Sequence, residues 1–397
     1  MNAQPSDGRP QNGEVIPLEQ VVDSRGKVGA DGRLNWQVPP GRWTILRIGH
    51  TPTGIYLFPT PAGGAGLDCD KLSKEAADFH YDHCVKPLLR KFDPELTRKV
   101  LAYYHVDSYE SGYQNWTANF PLDFRERRGY DLAKYIPALT GRVVGSLETT
   151  EKFLWDFRRT IGDLFADNNY GRLAKRCHDD GIGFSTEPYG GPFEQLQVGL
   201  RADHPMTEVW VKGQAQGKKM AFQAVLAGRT KGRKILGAES FTSEPPAVRW
   251  NEHPISLKPL GDFTFCCGVN QYCIHVSTQQ PLLGEHLRPG FTCGLNGIHF
   301  DRGNTWWQHG AKEWLSYATL HAASRCCKRA SMWRTCSISK ATIRRQAWGL
   351  MFQRFRMVTI SMSATARFLK AFVCGRGGLS CLPGRATATL CCRTTGD

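Results

Sequence analysis

The sequence predicts an α/β protein: part of a (β/α)8, TIM-type barrel, with a small β-rich region before it and an irregular tail after it. Three observations carry this. Short apolar runs that read as buried strands, Val100–Tyr104, Ile182–Phe184 and Ile235–Leu236, each run into acidic residues. The acids are Asp107 and Glu110 in His105–Glu110, Glu187 in Ser185–Gly191, and Glu239 in Gly237–Phe241. Helix-like segments separate the runs, and carboxylates delivered by successive parallel strands gather on the catalytic face of a β/α barrel.

Residues 1–66 read as β structure. Gly29–Gly32 reads as a turn, Leu34–Val38 alternates as a strand, Pro39-Pro40-Gly41 punctuates, and Trp43–Gly49 is a second strand. Pro59–Gly66 reads as a linker. From Leu67 the texture becomes helix and strand in alternation. Lys71–Val85 is expected to be helical and to stop before Pro87, because the residue preceding a proline is disfavoured in the α conformation. Phe153, Leu154, Phe157, Ile161, Leu164 and Phe165 recur at helical spacing, which predicts a helix over Glu151–Asp179, released at Gly181. A further helix is expected between Asn251 and Cys267 and a strand over Gly268–His275. That makes about four β/α units between residues 100 and 300, where a closed barrel takes eight. The catalytic region is therefore expected to be a partial barrel over residues 67–317, with no internal repeat.

Charge divides the chain. The net charge is +15, yet Ala318–Asp397 holds fourteen Lys or Arg against one acid, leaving 37 basic and 35 acidic residues before it. The first 317 residues are nearly neutral, which removes the main support for a nucleic-acid or anionic-membrane partner. The tail has no Asp or Glu between Glu313 and Asp397, no Asn, and seven of the fourteen cysteines, including the adjacent pairs Cys326-Cys327 and Cys391-Cys392. It shows no sustained apolar period and no nucleic-acid-binding module. Residues 318–397 are accordingly expected to be a non-native basic tail, read out of frame from GC-rich coding DNA. The other seven cysteines lack CxxC spacing and read as incidental thiols rather than a metal site or disulfide framework. Met1–Glu14 is polar, without the apolar core of a signal peptide, and no run approaches the length of a membrane span.

Paired carboxylates on one barrel face suit glycoside hydrolysis, where one protonates the leaving oxygen and the other activates water or attacks. Glu187 precedes Pro188 and an open Tyr189-Gly190-Gly191-Pro192 loop; Glu239 follows the small residues Gly237-Ala238, which leave space for a ligand. The bland reading of each is a solvated strand end. Sequence does not say which is acid and which is base. Asp107 and Glu110, three apart and flanked by His105 and Ser108, are candidates to hold sugar hydroxyls or a hard cation through oxygen; the bland reading is a hydrogen-bonded loop. Trp116, Tyr189, Trp306 and Trp307 are candidate platforms for an apolar sugar face, though any one of them taken singly reads more readily as ordinary core. Trp155 falls within the periodic helix and reads as structural. His275, His299, Asp301 and Arg302 are further polar candidates. No P-loop, zincin helix or dinucleotide fingerprint in strand context is present.

Taken together, the motifs resemble glycoside hydrolase family 106, the α-L-rhamnosidases. They run in order through Gly66–Ala76, His105–Glu110, Gln114–Thr117, Arg127–Asp131, Phe153–Arg158, Glu187–Phe193, Arg201–Asp203, Gly237–Phe241, Gly297–Phe300 and Thr305–Trp307, spanning roughly residues 20–317. The resemblance implies a secreted or periplasmic inverting hydrolase that removes terminal α-L-rhamnose from oligo- or polysaccharide. It further implies a (β/α)8 domain with β-sandwich appendages, a calcium-assisted site and no organic cofactor. Glu187 and Glu239 are the implied catalytic pair; Asp107, Glu110, Trp116, Tyr189, His299 and Trp306 the implied substrate contacts; Asp107 and Glu110 the implied calcium contacts. Members of that family are far longer than this chain. The alternatives are another two-carboxylate barrel glycosidase, of β-galactosidase type, or a non-catalytic carbohydrate-binding protein.

Overall fold

A computed structural model describes residues 15–56, 60, 62–211, 222–243, 252–275, 358–364 and 387–393. In chain order the strands are β1 (Val15–Ile16), β2 (Val21–Asp23), β3 (Gly41–Gly49), β4 (Tyr103–Val106), β5 (Val143–Val144), β6 (Gly183–Thr186), β7 (His204–Trp210), β8 (Gly237–Thr242), β9 (Gln271–Ile274), β10 (Val358–Ala364) and β11 (Thr387–Arg393). The chain forms two compact units, one from Met1–Ser73, Tyr113–Leu164 and Lys340–Asp397, the other from Lys74–Gly112 and Phe165–Ser339.

In the first unit β10, β3, β11 and β2 form an antiparallel sheet in that order. The tail expected to be irregular thus contributes two strands, whose backbones pair on either side of β3. The turn at Gly29–Gly32 forms as expected, closed by the Gly29 N–H on the Arg33 carbonyl at 2.8 Å. The expected strand Leu34–Val38 does not form: Leu34 makes an isolated bridge to Val28, and Pro39-Pro40 removes the donors that would extend a ladder. Trp36 instead meets Trp43 edge-on at 5.0 Å, and Val22, Val38 and Ile45 close around the pair. β1 and β5 pair in parallel.

The second unit carries a five-stranded parallel sheet in the order β4-β6-β7-β8-β9. This is the partial-barrel sheet that the sequence predicts, with one strand more than it shows. β7 went unread because it opens on His204-Pro205. Its pairing with β6 is two residues long and ends at Pro205, so the missing proline N–H costs little there. The remaining strands appear near their expected places. The first begins later, at Tyr103, because Pro94–Val100 is helical, started by an Asp93 side-chain cap on the Leu96 N–H.

The helix expected over Glu151–Asp179 runs as an α-helix Leu147–Leu164, a π segment Phe165–Gly171 and an α-helix Arg172–Asp179. Gly181, with φ of 76°, ends it: its N–H reaches the His178 carbonyl and the Ile182 N–H the Cys177 carbonyl. The helix Lys74–His80 does not stop before Pro87. A π segment, Tyr81–Val85, intervenes, and Pro87 then falls in the first turn of Lys86–Leu89, where a missing donor is tolerated. Arg176 and Arg172 both bond Asp78, at 2.8 and 2.7 Å, fastening these two helical segments together.

One face of the sheet is apolar. Val209, Leu236, Ala238 and Val269 pack with Val225 of the helix Phe222–Thr230 and with Leu260 of the helix Pro254–Cys267. Fully buried Asn270 sets the register at the strand entrances, accepting from the Leu236 N–H at 2.8 Å and donating to the Lys234 carbonyl at 2.7 Å. Asn270→Ala leaves a buried donor and an acceptor to be satisfied otherwise, so it is expected to cost about 2–4 kcal/mol of stability, read from the denaturant midpoint.

Candidate active site

Side chains alternate along a strand, so residues two apart share a face. Since Ala238 faces the helices, Gly237 and Glu239 face the other way, and in register with Glu239 stand Glu208 of β7 and Cys273 of β9. On the same face His105 of β4 meets Ser185 of β6, which in turn meets His204 of β7. Ser185 Oγ lies 2.9 Å from His105 Nδ1 and 3.2 Å from His204 Nδ1. Asp107 and Glu187 follow two residues further along their chains, so the strand ends bring these two carboxyls together.

Glu187 is buried, 1% exposed. Burial, then the facing Asp107, push its pKa up to about 10. Asp107, with His105 Nε2 at 3.7 Å and Glu187 facing it, is held down to about 2. One proton is therefore shared unequally: Glu187 carries it and Asp107 stays ionised. The Tyr189 phenol donates a hydrogen bond to Glu187 Oε2, and burial, with Glu187 and Glu208 beside it, keeps that phenol protonated. The loops bearing Asp107 and Glu187 are tied by the Tyr109 N–H on the Tyr189 carbonyl at 3.0 Å. Gly190 makes this approach possible: its φ is 91°, and a Cβ there would lie 2.2 Å from the Tyr109 carbonyl oxygen. Beneath, Tyr109 packs edge-on against Phe165 and Phe193.

Glu239 lies inside β8, three residues before its end, rather than at the strand terminus. Burial raises its pKa, a hydrogen bond from Thr242 lowers it, and Asp107 and Glu110 raise it again. His275 Nδ1 stands 3.8 Å from Glu239 Oε1, and burial holds that imidazole neutral-leaning, below its usual pKa. Cys273 is an exposed residue, and partial desolvation of its thiol, with Glu187 and Glu239 nearby, raises its pKa.

The structure thus brings Glu187, Glu239, Asp107 and Tyr189 into one site, with Glu110 near enough to act on Glu239 electrostatically. Trp116 lies in the other unit, stacked on Phe120 at 4.9 Å. His299, Trp306, Trp307, Asp301 and Arg302 fall outside the described residues. Sequence reasoning missed Glu208, Thr242, Ser185 and His204. Met206, Glu208 and Trp210 alternate with Pro205, Thr207 and Val209, and that period of two was the available sign of β7 and its acid. Trp155, read as structural, is 56% exposed on its helix.

His105, Asp107 and Glu187 offer donor atoms within 4.8 Å of one another. This is the group to test against calcium. It supplies two oxygens and a nitrogen, where calcium takes six to eight oxygens. Glu110, expected as a ligand, instead accepts from Ser108 Oγ at 3.0 Å and is not one of the three. These three donors alone fall short of a calcium cage. No helix among the described residues is long and apolar enough to cross a membrane.

A family model described as alpha-L-rhamnosidase, glycoside hydrolase family 106, matches residues 3–324. The chain belongs to this family. The rhamnosidase from Novosphingobium sp. PP1Y is similar in structure, with a TM-score of 0.65 and 27% identity over 79% of this chain. A protein of Formosa agariphila named "Putative beta-glucuronidase" is 41% identical over 303 residues, 76% of this chain. The chain spans 30% of the length of the first and 25% of the second.

The proton on Glu187 makes a prediction about stability. Its folded pKa lies above its unfolded one, so the folded state binds more protons between about pH 4.5 and 10 and loses stability as pH rises through that window. Glu187→Gln cannot ionise. Its stability is expected to exceed that of the wild type increasingly from pH 5 to 9, by at most about 1.4 kcal/mol per pH unit, as read from denaturant midpoints. Gly190→Ala is expected to be destabilising by about 1–3 kcal/mol by the same measurement, from the strained φ and the collision with Tyr109.

Proposed function

We propose that this site is a two-carboxylate glycoside hydrolase centre that removes terminal α-L-rhamnose from oligo- or polysaccharide, with Glu187 as general acid and Glu239 as general base. The observation that carries the assignment is the burial of Glu187, 1% exposed, beside Asp107, which pushes its pKa up to about 10 and favours the acid form at neutral pH. Tyr189, as a donor to Oε2, orients the carboxyl and is placed to follow the charge that appears when the proton leaves. In the proposed step Glu187 gives its proton to the glycosidic oxygen as the bond from that oxygen to the anomeric carbon breaks. Water adds to the opposite face of the sugar while Glu239 takes a proton from it, so the product hemiacetal has inverted configuration. Glu239 suits the second role because Thr242 opposes the rise in its pKa.

Family membership and the rhamnosidase neighbour support rhamnose as the substrate. The name of the Formosa agariphila relative favours a second reading, a β-glucuronide. A panel of aryl α-L-rhamnoside and aryl β-glucuronide separates the two. The expected outcome is rhamnose release, with the inverted anomer seen first by proton NMR; glucuronide cleavage alone would replace the substrate assignment. Glu239→Gln should lower kcat by about 10²–10⁴-fold on all rhamnosides. Glu187→Gln should do so on rhamnosides with poor leaving groups and much less on activated aryl ones, since a good leaving group needs little protonation. Hydrolysis unchanged in both variants would overturn the assignment of the pair, and no hydrolysis by wild type or variants, with sugar binding retained, would point to a carbohydrate-binding protein.

A further inference from the structure

β8 contains a backbone irregularity that the catalytic assignment leaves unused. Its ladder with β7 pairs Val209 with Ser240 and then Trp210 with Thr242, so Phe241 is an extra residue, a bulge. Phe241 has φ of 67°, the one positive φ at a non-glycine position among the described residues. That region is costly for an aromatic side chain and persists only where the surroundings hold it.

Two side chains point the wrong way for a regular strand, and the bulge accounts for both. Glu239 faces the site, so strict alternation would turn Phe241 to the site and Thr242 to the helices. Phe241 instead is 1% exposed among Leu257, Leu260, Val211 and Ile274, on the helix side, with its ring 5.5 Å from that of Tyr272. Tyr272 is in turn anchored by its hydroxyl on the Gly261 carbonyl at 2.7 Å. Thr242, displaced by one residue, turns to the site and donates its hydroxyl to Glu239 Oε1. The Thr242 residue is 3% exposed, so water has little access to replace that donor.

We propose that the bulge at Phe241 is a positioning device, in which an apolar anchor under the sheet holds the backbone left-handed so that the Thr242 hydroxyl is delivered to the carboxylate of Glu239. Thr242 is a positioning residue, and its effect on turnover rests on the reading of Glu239 as the base. The groups around Glu239 explain why a dedicated donor is needed. Asp107 and Glu110 act from the β4 end, Glu187 from β6, Glu208 from β7, and Cys273 from β9; each is acidic or becomes anionic on titration, and each opposes a second charge. His105 acts in the opposite sense, and His275, below its usual pKa, offers little positive charge. Thr242 supplies a hydrogen bond that favours the ionised form without adding charge.

The test is the titration of Glu239 in the full 397-residue chain, followed by the carbon-13 shift of its side-chain carboxyl and assigned with Glu239→Gln. Thr242→Val, which keeps the shape and loses the hydroxyl, is expected to raise the Glu239 midpoint by about one pH unit. Thr242→Ser should leave it where it is. Phe241→Gly removes the apolar anchor and frees the backbone to leave the left-handed region, so it should raise the midpoint in the same direction as Thr242→Val while lowering stability. A Thr242→Val midpoint equal to the wild type overturns the role of Thr242. A Phe241→Gly midpoint equal to the wild type overturns the anchoring argument, and this second readout stands even if Thr242→Val fails to fold. Hydrolysis is not needed for either result. Failure of the rhamnoside panel with the expected titrations would sink the enzyme reading and keep the device; active enzyme with unmoved titrations would do the reverse.

Discussion

The alternation of side chains along buried parallel strands is the constraint on which this site depends. A strand in the middle of the sheet has no solvent face to spare: Ala238 and Val209 fill the space under the helices, and their neighbours Glu239 and Glu208 are thereby committed to the other side. Gathering carboxyls on that side is electrostatically unfavourable, and the structure answers it locally at each acid. Glu187 keeps a proton. Asp107 ionises against His105. Glu239 takes a hydroxyl. The differing chemistry of the three follows from what each faces, since the two glutamates are the same residue type.

Placement and chemistry are therefore linked through backbone detail. The parallel register sets Glu239 opposite Glu208 and Cys273, and the Gly190 approach to Tyr109 fixes the loop that carries Tyr189 over Glu187. A one-residue slip in any of these strands would send an acid into the helix layer and an apolar side chain into the site, with no intermediate arrangement available. Buried Asn270, holding the entrances of β8 and β9 through both ends of its amide, guards against that slip.

Family membership bounds the chemistry and leaves the sugar open. The two relatives differ in the substrates their names declare, and both are much longer than this chain, which covers 25–30% of their length. Within the described residues the parallel sheet has five strands; Glu239 stands on one of them and Glu187 directly follows another. The family match extends to residue 324, while the strands at Val358–Ala364 and Thr387–Arg393 lie beyond it. The charge imbalance of the tail is a property of that same stretch.

The sequence by itself determined the broad architecture and the identity of the acids. Apolar runs ending in Asp107, Glu187 and Glu239, separated by a long periodic helix, are local patterns, and local patterns survive in one dimension. The turn at Gly29–Gly32 and the helix stop at Gly181 were legible for the same reason: a few neighbouring residues specify each. Three things were decided only by tertiary structure. β7 is hidden by His204-Pro205 because its tolerance of proline depends on how far its neighbour pairs with it. The helix through Pro87 forms because a π segment moves the proline into a first turn. The division of labour between Glu187 and Glu239 depends on Asp107, Tyr189 and Thr242, and a carboxyl's pKa is fixed by burial and by charges a few ångströms away, which chain order does not record.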